Sequence, residues 1–133
     1  MRRAAVLVLV GAALAGCGSP PPDLFVVERS GADANANLDL LVSDGGSVRC
    51  NGHEHPLDAD RLLAARQLER DLEPQAELGI ELPRGRGSVL SYRVRMEGGT
   101  IAFSDRSSGV PATFLRLAAF TKDVAERVCG IER

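Results

Sequence analysis

Apolar and polar residues alternate along five short stretches of the chain, which is typical of strands with one buried face. The stretches are 24–29, 38–43, 47–50, 88–96 and 100–104. In the clearest of them, Leu90, Tyr92, Val94 and Met96 fall on one face. Ser91, Arg93 and Arg95 fall on the other face. The alternation therefore predicts strands whose second face is open to solvent.

Glycine pairs separate these strands. Asp44-Gly45-Gly46 and Glu97-Gly98-Gly99 each predict a tight hairpin turn, because glycine tolerates the positive φ that such turns need. The segments 30–37, 51–56 and 105–109 are rich in small and polar residues and predict loops.

Two stretches instead have apolar residues at helical spacing. The first predicts a helix with Asp58 as its N-cap, a Leu57–Leu62 staple and a stop at Pro74. Its apolar stripe is Leu62, Ala65, Leu68 and Leu72. The second predicts a helix from Pro111 to Cys129 with Gly130 as its C-terminal stop. Its stripe is Phe114, Leu117, Thr121, Val124 and Val128. The interval 75–87 contains several glycines and Pro83 and predicts a long loop.

The resulting order is β-β-β-α-β-β-α. It predicts an α+β domain in which two helices cover one face of an antiparallel sheet of about five strands. The open face is expected to carry Asp39, Ser91, Arg93 and Arg95.

Composition limits the core and the partners. Of the 133 residues, 44% are hydrophobic but only 4% are aromatic, so the core is expected to be mostly Leu, Val, Ala and Ile. Without Arg2 and Arg3 there remain 14 basic against 18 acidic residues, a net charge of −4. An acidic domain lacks the basic footprint of a nucleic-acid-binding protein, so no nucleic-acid partner is expected.

The N-terminus has the pattern of an export signal. Arg2 and Arg3 precede an apolar run that is too short to span a bilayer, and small residues follow before a cysteine. Leu14-Ala15-Gly16-Cys17 resembles the lipobox of bacterial lipoproteins at every position. The resemblance implies cleavage before Cys17 and a diacylglyceryl group on its thiol. Two acyl chains give stable anchoring to the cell membrane on the extracytoplasmic side.

This interpretation divides the chain into three parts. Residues 1–16 are the signal peptide, 17–23 are the lipidated cysteine with a proline-rich tether, and 24–133 are one α+β domain. Asp44-Gly45-Gly46-Ser47-Val48-Arg49-Cys50-Asn51-Gly52 and the strand–Gly-Gly–strand of 95–103 also resemble segments of small actinobacterial lipoproteins. That family has no assigned activity, so the resemblance implies a fold and an anchor but no site.

With Cys17 lipidated, Cys50 and Cys129 remain in an exported protein, and oxidising compartments favour their pairing. A structural disulfide is the preferred interpretation over a redox site, because the chain has no Cys-x-x-Cys.

Both histidines lie in His53-Glu54-His55. Two imidazoles two residues apart can face the same way and bind Zn²⁺ or Cu²⁺, but a third ligand is not evident. We therefore predict no metal and no cofactor, with His53 and His55 as weak candidates and a solvated loop as the simpler interpretation.

Catalytic motifs are not evident. No Gly-x-Ser-x-Gly elbow and no glycine-rich phosphate loop occur in the sequence, so an enzyme is not expected. The main prediction is a non-enzymatic binding module of the cell envelope with an envelope protein as partner. Arg84, Arg86, Arg93 and Arg95 are its candidate binding residues. A small-ligand or metal-binding module, or a hydrolase with no visible motif, is the alternative.

Overall fold

Eight elements follow one another along residues 22–132, which are the part of the chain described by the computed structural model. The strands are β1 (Asp23–Gly31), β2 (Leu38–Ser43), β3 (Ser47–Cys50), β4 (His53–Pro56), β5 (Leu90–Met96) and β6 (Gly99–Ser104). The helices are α1 (Ala59–Glu77) and α2 (Ala112–Arg127). The predicted α+β class with an antiparallel sheet and two helices is confirmed.

The six strands form one sheet in the order β4-β3-β2-β1-β5-β6, and every neighbouring pair is antiparallel. Asp23 lies opposite Ser43, and Gly31 lies opposite Leu90. We call the two ends of the sheet the Asp23 end and the Gly31 end. The turns β2–β3 and β5–β6 both lie at the Asp23 end, because Ser43 pairs with Ser47 and Met96 with Gly99.

Strand β4 corrects the predicted loop at 51–56. Its residues His53–Pro56 pair with β3, with Cys50 opposite His53 and Ser47 opposite Pro56. The sequence His-Glu-His-Pro has weak strand propensity, and a proline is tolerated because β4 is an edge strand. Backbone pairing with β3 therefore decides the conformation where the side chains do not.

Helix α1 begins as predicted and ends later. The side chain of Asp58 accepts a hydrogen bond from the Arg61 backbone N–H at 3.0 Å, which satisfies one free donor of the first turn. The predicted stop at Pro74 is wrong, because the helix continues to Glu77. Pro74 is exposed, whereas Leu72 and Ala76 on either side of it are buried. Packing of those two residues offsets the one backbone hydrogen bond that proline cannot make.

Helix α2 begins and ends slightly inside its predicted bounds. Pro111 is its N-cap rather than its first residue, and the helix ends at Arg127 rather than at Cys129. Gly130 adopts a φ of 68°, the left-handed conformation expected just after a helix.

Both helices pack against the same face of the sheet. Phe114 of α2 contacts Phe103 of β6 with ring centroids 5.0 Å apart, and Phe120 contacts Phe25 of β1 at 6.1 Å. Seven of the nine predicted stripe residues are buried, namely Ala65, Leu68, Leu72, Phe114, Leu117, Thr121 and Val124, whereas Leu62 and Val128 are partly buried. Asp39, Arg93 and Arg95 on the opposite face are exposed and Ser91 is partly exposed, as the alternation predicts.

The two edges of the sheet differ in whether a further segment of the chain forms backbone hydrogen bonds with the edge strand. Beyond β6, Leu82 N–H donates to the Ala102 carbonyl at 2.8 Å, and Ala102 N–H donates to the Ile80 carbonyl at 3.0 Å. The predicted 75–87 loop is therefore too long, since 75–77 belong to α1 and Glu81 bridges to β6. The other edge is β4.

The signal peptide that the sequence predicts at 1–16, and Cys17, lie outside the described residues. Within 22–132, no helix is long and apolar enough to cross a membrane.

Candidate binding surface

The open face of the sheet carries two of the predicted binding arginines in ion pairs. Arg93 donates to Glu81 at 3.2 Å, and Arg95 donates to Glu28 at 3.0 Å. About half of each arginine side chain is exposed, so water weakens both pairs. Because each arginine has a carboxylate beside it, Arg93 and Arg95 contribute little net charge to this face.

Arg84 differs from Arg93 and Arg95 in having neutral partners. Its guanidinium donates to Ser91 Oγ at 3.0 Å and to the Ser88 carbonyl at 2.7 Å. These bonds fix the side chain without neutralising its charge. Arg84 also lines a cleft of about 340 Å³ on the open face, together with Glu28, Ser30, Leu82, Ser91 and Arg93.

Two further arginines near Arg84 have neither a carboxylate nor a neutral hydrogen-bond partner among the described residues. Arg86 and Arg106 are exposed, and neither forms a hydrogen bond or ion pair with any residue of 22–132. The sequence predicts Arg86 as a candidate but not Arg106. We call Arg84, Arg86 and Arg106 the arginine cluster.

Close backbone contact brings the two loops of the cluster together. A Cβ at Gly85 would overlap the carbonyl oxygen of Arg106, so only glycine fits there. The side chain of Arg106 passes Gly87, with its Cδ 3.9 Å from where a Cβ at that residue would lie. Residues 83–88 and 105–107 therefore form one surface.

A buried group of serine hydroxyls holds this surface in place. Ser104 Oγ accepts from the Gly85 N–H at 3.1 Å and lies 2.7 Å from Ser88 Oγ and 3.0 Å from Ser107 Oγ. Ser107 Oγ donates to the Pro83 carbonyl at 2.7 Å. Ser104 is only 1% exposed, and its bond to Ser107 is buried, whereas its bonds to Gly85 and Ser88 are part-buried. Sequence periodicity could not predict this network. The only signal in the sequence is the serine-rich run Ser104-Asp105-Arg106-Ser107-Ser108, which supplies two of its hydroxyls.

The acidic residue of this surface, Asp105, binds a backbone N–H group and not an arginine. Both carboxylate oxygens of Asp105 accept from the Val89 N–H, at 3.2 and 3.3 Å. The Val89 side chain itself is 53% exposed between the two loops. With three arginines and one aspartate, the surface carries a net positive charge on an acidic domain.

The two histidines lie elsewhere. His53 and His55 of β4 line a wide depression of about 710 Å³ with Cys50, Cys129 and Ile131. Their register positions are opposite Cys50 and Val48, which face the helices. Within residues 22–132, no group of three potential ligands suited to a metal ion occurs.

Cys50 and Cys129 lie at disulfide distance, with Cα atoms 6.0 Å apart and 79 residues of separation. The pair joins the end of β3 to the residue after the C-cap of α2, where the sequence predicts it. Both cysteines line the same depression as the two histidines.

Clear pKa shifts occur in the helix pair. A hydrogen bond from the Arg61 backbone N–H lowers the pKa of Asp58, and a hydrogen bond from Arg116 lowers the pKa of Asp71. The carboxylates of Asp123 and Asp58 raise the pKa of Arg61. Arg61 and Arg116 reach across from one helix to the other, to Asp123 and Asp71. The pKa shifts of Arg61 and Asp71 therefore reflect helix packing, whereas that of Asp58 reflects its role as the N-cap.

Comparisons with protein families, with curated proteins and with solved structures found no match to this chain.

Proposed function

We propose that this chain is an exported lipoprotein, anchored through Cys17 to the extracytoplasmic side of the cell membrane. Its domain binds an envelope protein and catalyses no reaction. The arginine cluster is the binding surface in this proposal, since it combines uncompensated charge with a rigid backbone. This cluster is the observation that carries the binding role.

The cysteines support export. A chain with three cysteines leaves one over when two pair, and the one left is the residue of the lipobox. Disulfides persist in oxidising compartments, which fits a protein outside the cytoplasm.

The start of β1 supports a domain held close to the membrane. β1 begins at Asp23, six residues after Cys17, and Pro20, Pro21 and Pro22 lie between them. A polyproline segment extends by about 3.1 Å per residue, so the tether is on the order of 20 Å long.

Replacing the lipobox cysteine tests the anchor. We expect the Cys17→Ala variant to leave the membrane fraction and to lack the mass of a diacylglyceryl group, whereas Ser19→Ala should behave as wild type. A Cys17→Ala variant that stays in the membrane fraction, with an unmodified mass in both proteins, would contradict the proposal.

The alternative proposal is a metal or small-ligand site at His53 and His55. Its support is that both side chains line one depression beside Cys50 and Cys129. Calorimetric titration with Zn²⁺ tests it, with the His53→Ala/His55→Ala variant as control. Heat at micromolar metal that the variant loses would favour this alternative, and no heat would remove it.

A further inference from the structure

The charged residues of the domain are divided between the two ends of the sheet. β1 runs for nine residues from Asp23 to Gly31, which is about 26 Å at about 3.3 Å per residue. The chain enters at the Asp23 end, where the Asp44 N–H donates to the Pro22 carbonyl at 2.9 Å. The arginine cluster lies at the Gly31 end, because Ser91 pairs with Ser30 and the Asp105 N–H donates to the Leu90 carbonyl.

The Asp23 end is acidic. Glu97 lies in the β5–β6 turn, and Glu73 and Glu77 of α1 approach Gly98 in the same turn. None of these three carboxylates forms an ion pair with any residue of 22–132. The proposed tether of six residues joins Cys17 to this end, so it holds the Asp23 end nearest the membrane and leaves the Gly31 end on the far side of the domain.

We infer that the arginine cluster binds an acidic segment of an envelope protein on the side of the domain that faces away from the anchoring membrane. This inference rests on the proposed anchor at Cys17. At about 26 Å from the Asp23 end, the cluster lies several Debye lengths from the membrane, since that length is about 8 Å at physiological ionic strength. The anchoring bilayer is therefore not its ligand.

The chemistry of the cluster favours carboxylates of a protein. Guanidinium groups bind carboxylates through two parallel hydrogen bonds, and Arg86 and Arg106 have all their donors available within the described part of the chain. Arginine is enriched in protein interfaces, and exposed Val89 adds an apolar side chain next to the cluster that a purely ionic polymer would not contact. The serine network holds the backbone of the two loops in one conformation, so binding has to order the arginine side chains but not the loops that carry them.

Peptide titration of the full chain in detergent micelles tests this inference. The probe is a fluorescein-labelled polyglutamate peptide, followed by fluorescence anisotropy at low ionic strength. The variant is Arg86→Gln/Arg106→Gln, which should fold normally because neither side chain has a partner within residues 22–132. The matched control is Arg49→Gln, which removes an exposed arginine on β3, three strands away from β5.

We expect the double variant to raise the Kd about fivefold to tenfold and the control to change it less than about twofold. Salt should weaken wild-type binding for the same electrostatic reason. Equal losses in both variants, or no wild-type binding, would overturn the inference. Tighter binding to polyphosphate or to vesicles containing anionic lipid would overturn it too, because the ligand would then be a phosphate group.

The anchor is read out separately by fractionating cells that express the same variants. A chain that binds the peptide but remains in the soluble fraction refutes the anchor alone. A membrane-bound chain that does not bind the peptide refutes the arginine cluster alone.

Discussion

The two ends of the sheet are stabilised by different chemistry. At the Asp23 end, α1 begins and ends over the β2–β3 and β5–β6 turns, and its buried Leu72 and Ala76 pack on the sheet. At the Gly31 end, hydroxyl hydrogen bonds hold the loops, and the disulfide ties α2 to the nearby end of β3. The end held by apolar packing displays carboxylates, and the end held by hydroxyls displays arginines.

The arginines of this small acidic domain differ in whether their partners neutralise their charge. An arginine that is paired with a carboxylate, such as Arg93 or Arg95, adds little net charge to the surface because the carboxylate offsets it. An arginine positioned by serines and backbone carbonyls, such as Arg84, keeps that charge. The buried hydroxyls of Ser104 and Ser107 therefore make a cationic surface rigid without neutralising it.

Removing the disulfide should have the largest effect on stability. A cross-link between residues separated by 79 positions lowers the conformational entropy of the unfolded chain. In the chain-entropy model this stabilises the folded protein by about 4 kcal/mol. We expect Cys50→Ala/Cys129→Ala to lose about that much in urea unfolding. Hydrogen exchange should increase most in β3 and at the C-terminal end of α2. Ser19→Ala is the control, and a loss below about 1 kcal/mol in the double cysteine variant would show that packing alone holds this end.

Removing the central hydroxyl of the serine network should have the next largest effect. Ser104→Ala leaves the Gly85 N–H without its acceptor and removes one hydrogen bond each from the Ser88 and Ser107 hydroxyls, and an unsatisfied buried donor typically costs about 1–3 kcal/mol. It should also weaken polyglutamate binding, since the loops lose their common contact. Exposed Ser108→Ala should change the free energy of unfolding by less than about 0.5 kcal/mol. Equal effects of the two variants would show that the network does not hold the cluster.

Acid should have the smallest effect, and it should act on the helices. The pKa values of Asp58 and Asp71 are lowered in the folded protein from the ordinary 3.8, so their ionised forms stabilise it. That contribution is present above the unfolded pKa and is lost as pH falls through the folded pKa. We expect unfolding free energy to decline below about pH 4, and less steeply in Asp58→Asn/Asp71→Asn. If the unfolding free energy of the variant fell with pH as steeply as that of wild type, the acid sensitivity would belong to other carboxylates.

Most of the fold could be predicted from the sequence, because period-two and helical patterns report burial directly. The hairpins at Gly45-Gly46 and Gly98-Gly99, the Asp58 cap and the Cys50–Cys129 pair are confirmed. The missed features are those in which tertiary structure overrides local preference. Strand β4 forms because β3 offers it backbone partners, and α1 passes Pro74 because Ala76 is buried beyond it.

The candidate site could be predicted only in part. A sequence shows that Arg84, Arg86, Arg93 and Arg95 are cations, but not which of them has a carboxylate beside it. Glu81 and Glu28 reach Arg93 and Arg95 only through the folded sheet. Arg106 joins the cluster through the contact of its backbone with Gly85, which no spacing rule predicts.

Photo-crosslinking in cells can show whether a protein partner contacts the arginine cluster, with a benzoylphenylalanine at Val89 beside the cluster or at Glu97 at the Asp23 end. We expect a protein adduct from residue 89 that carries an acidic segment and is lost in Arg86→Gln/Arg106→Gln. Residue 97 should give no such adduct. The same adduct from both positions, or one that survives the arginine substitutions, would contradict binding of an acidic protein segment at the arginine cluster.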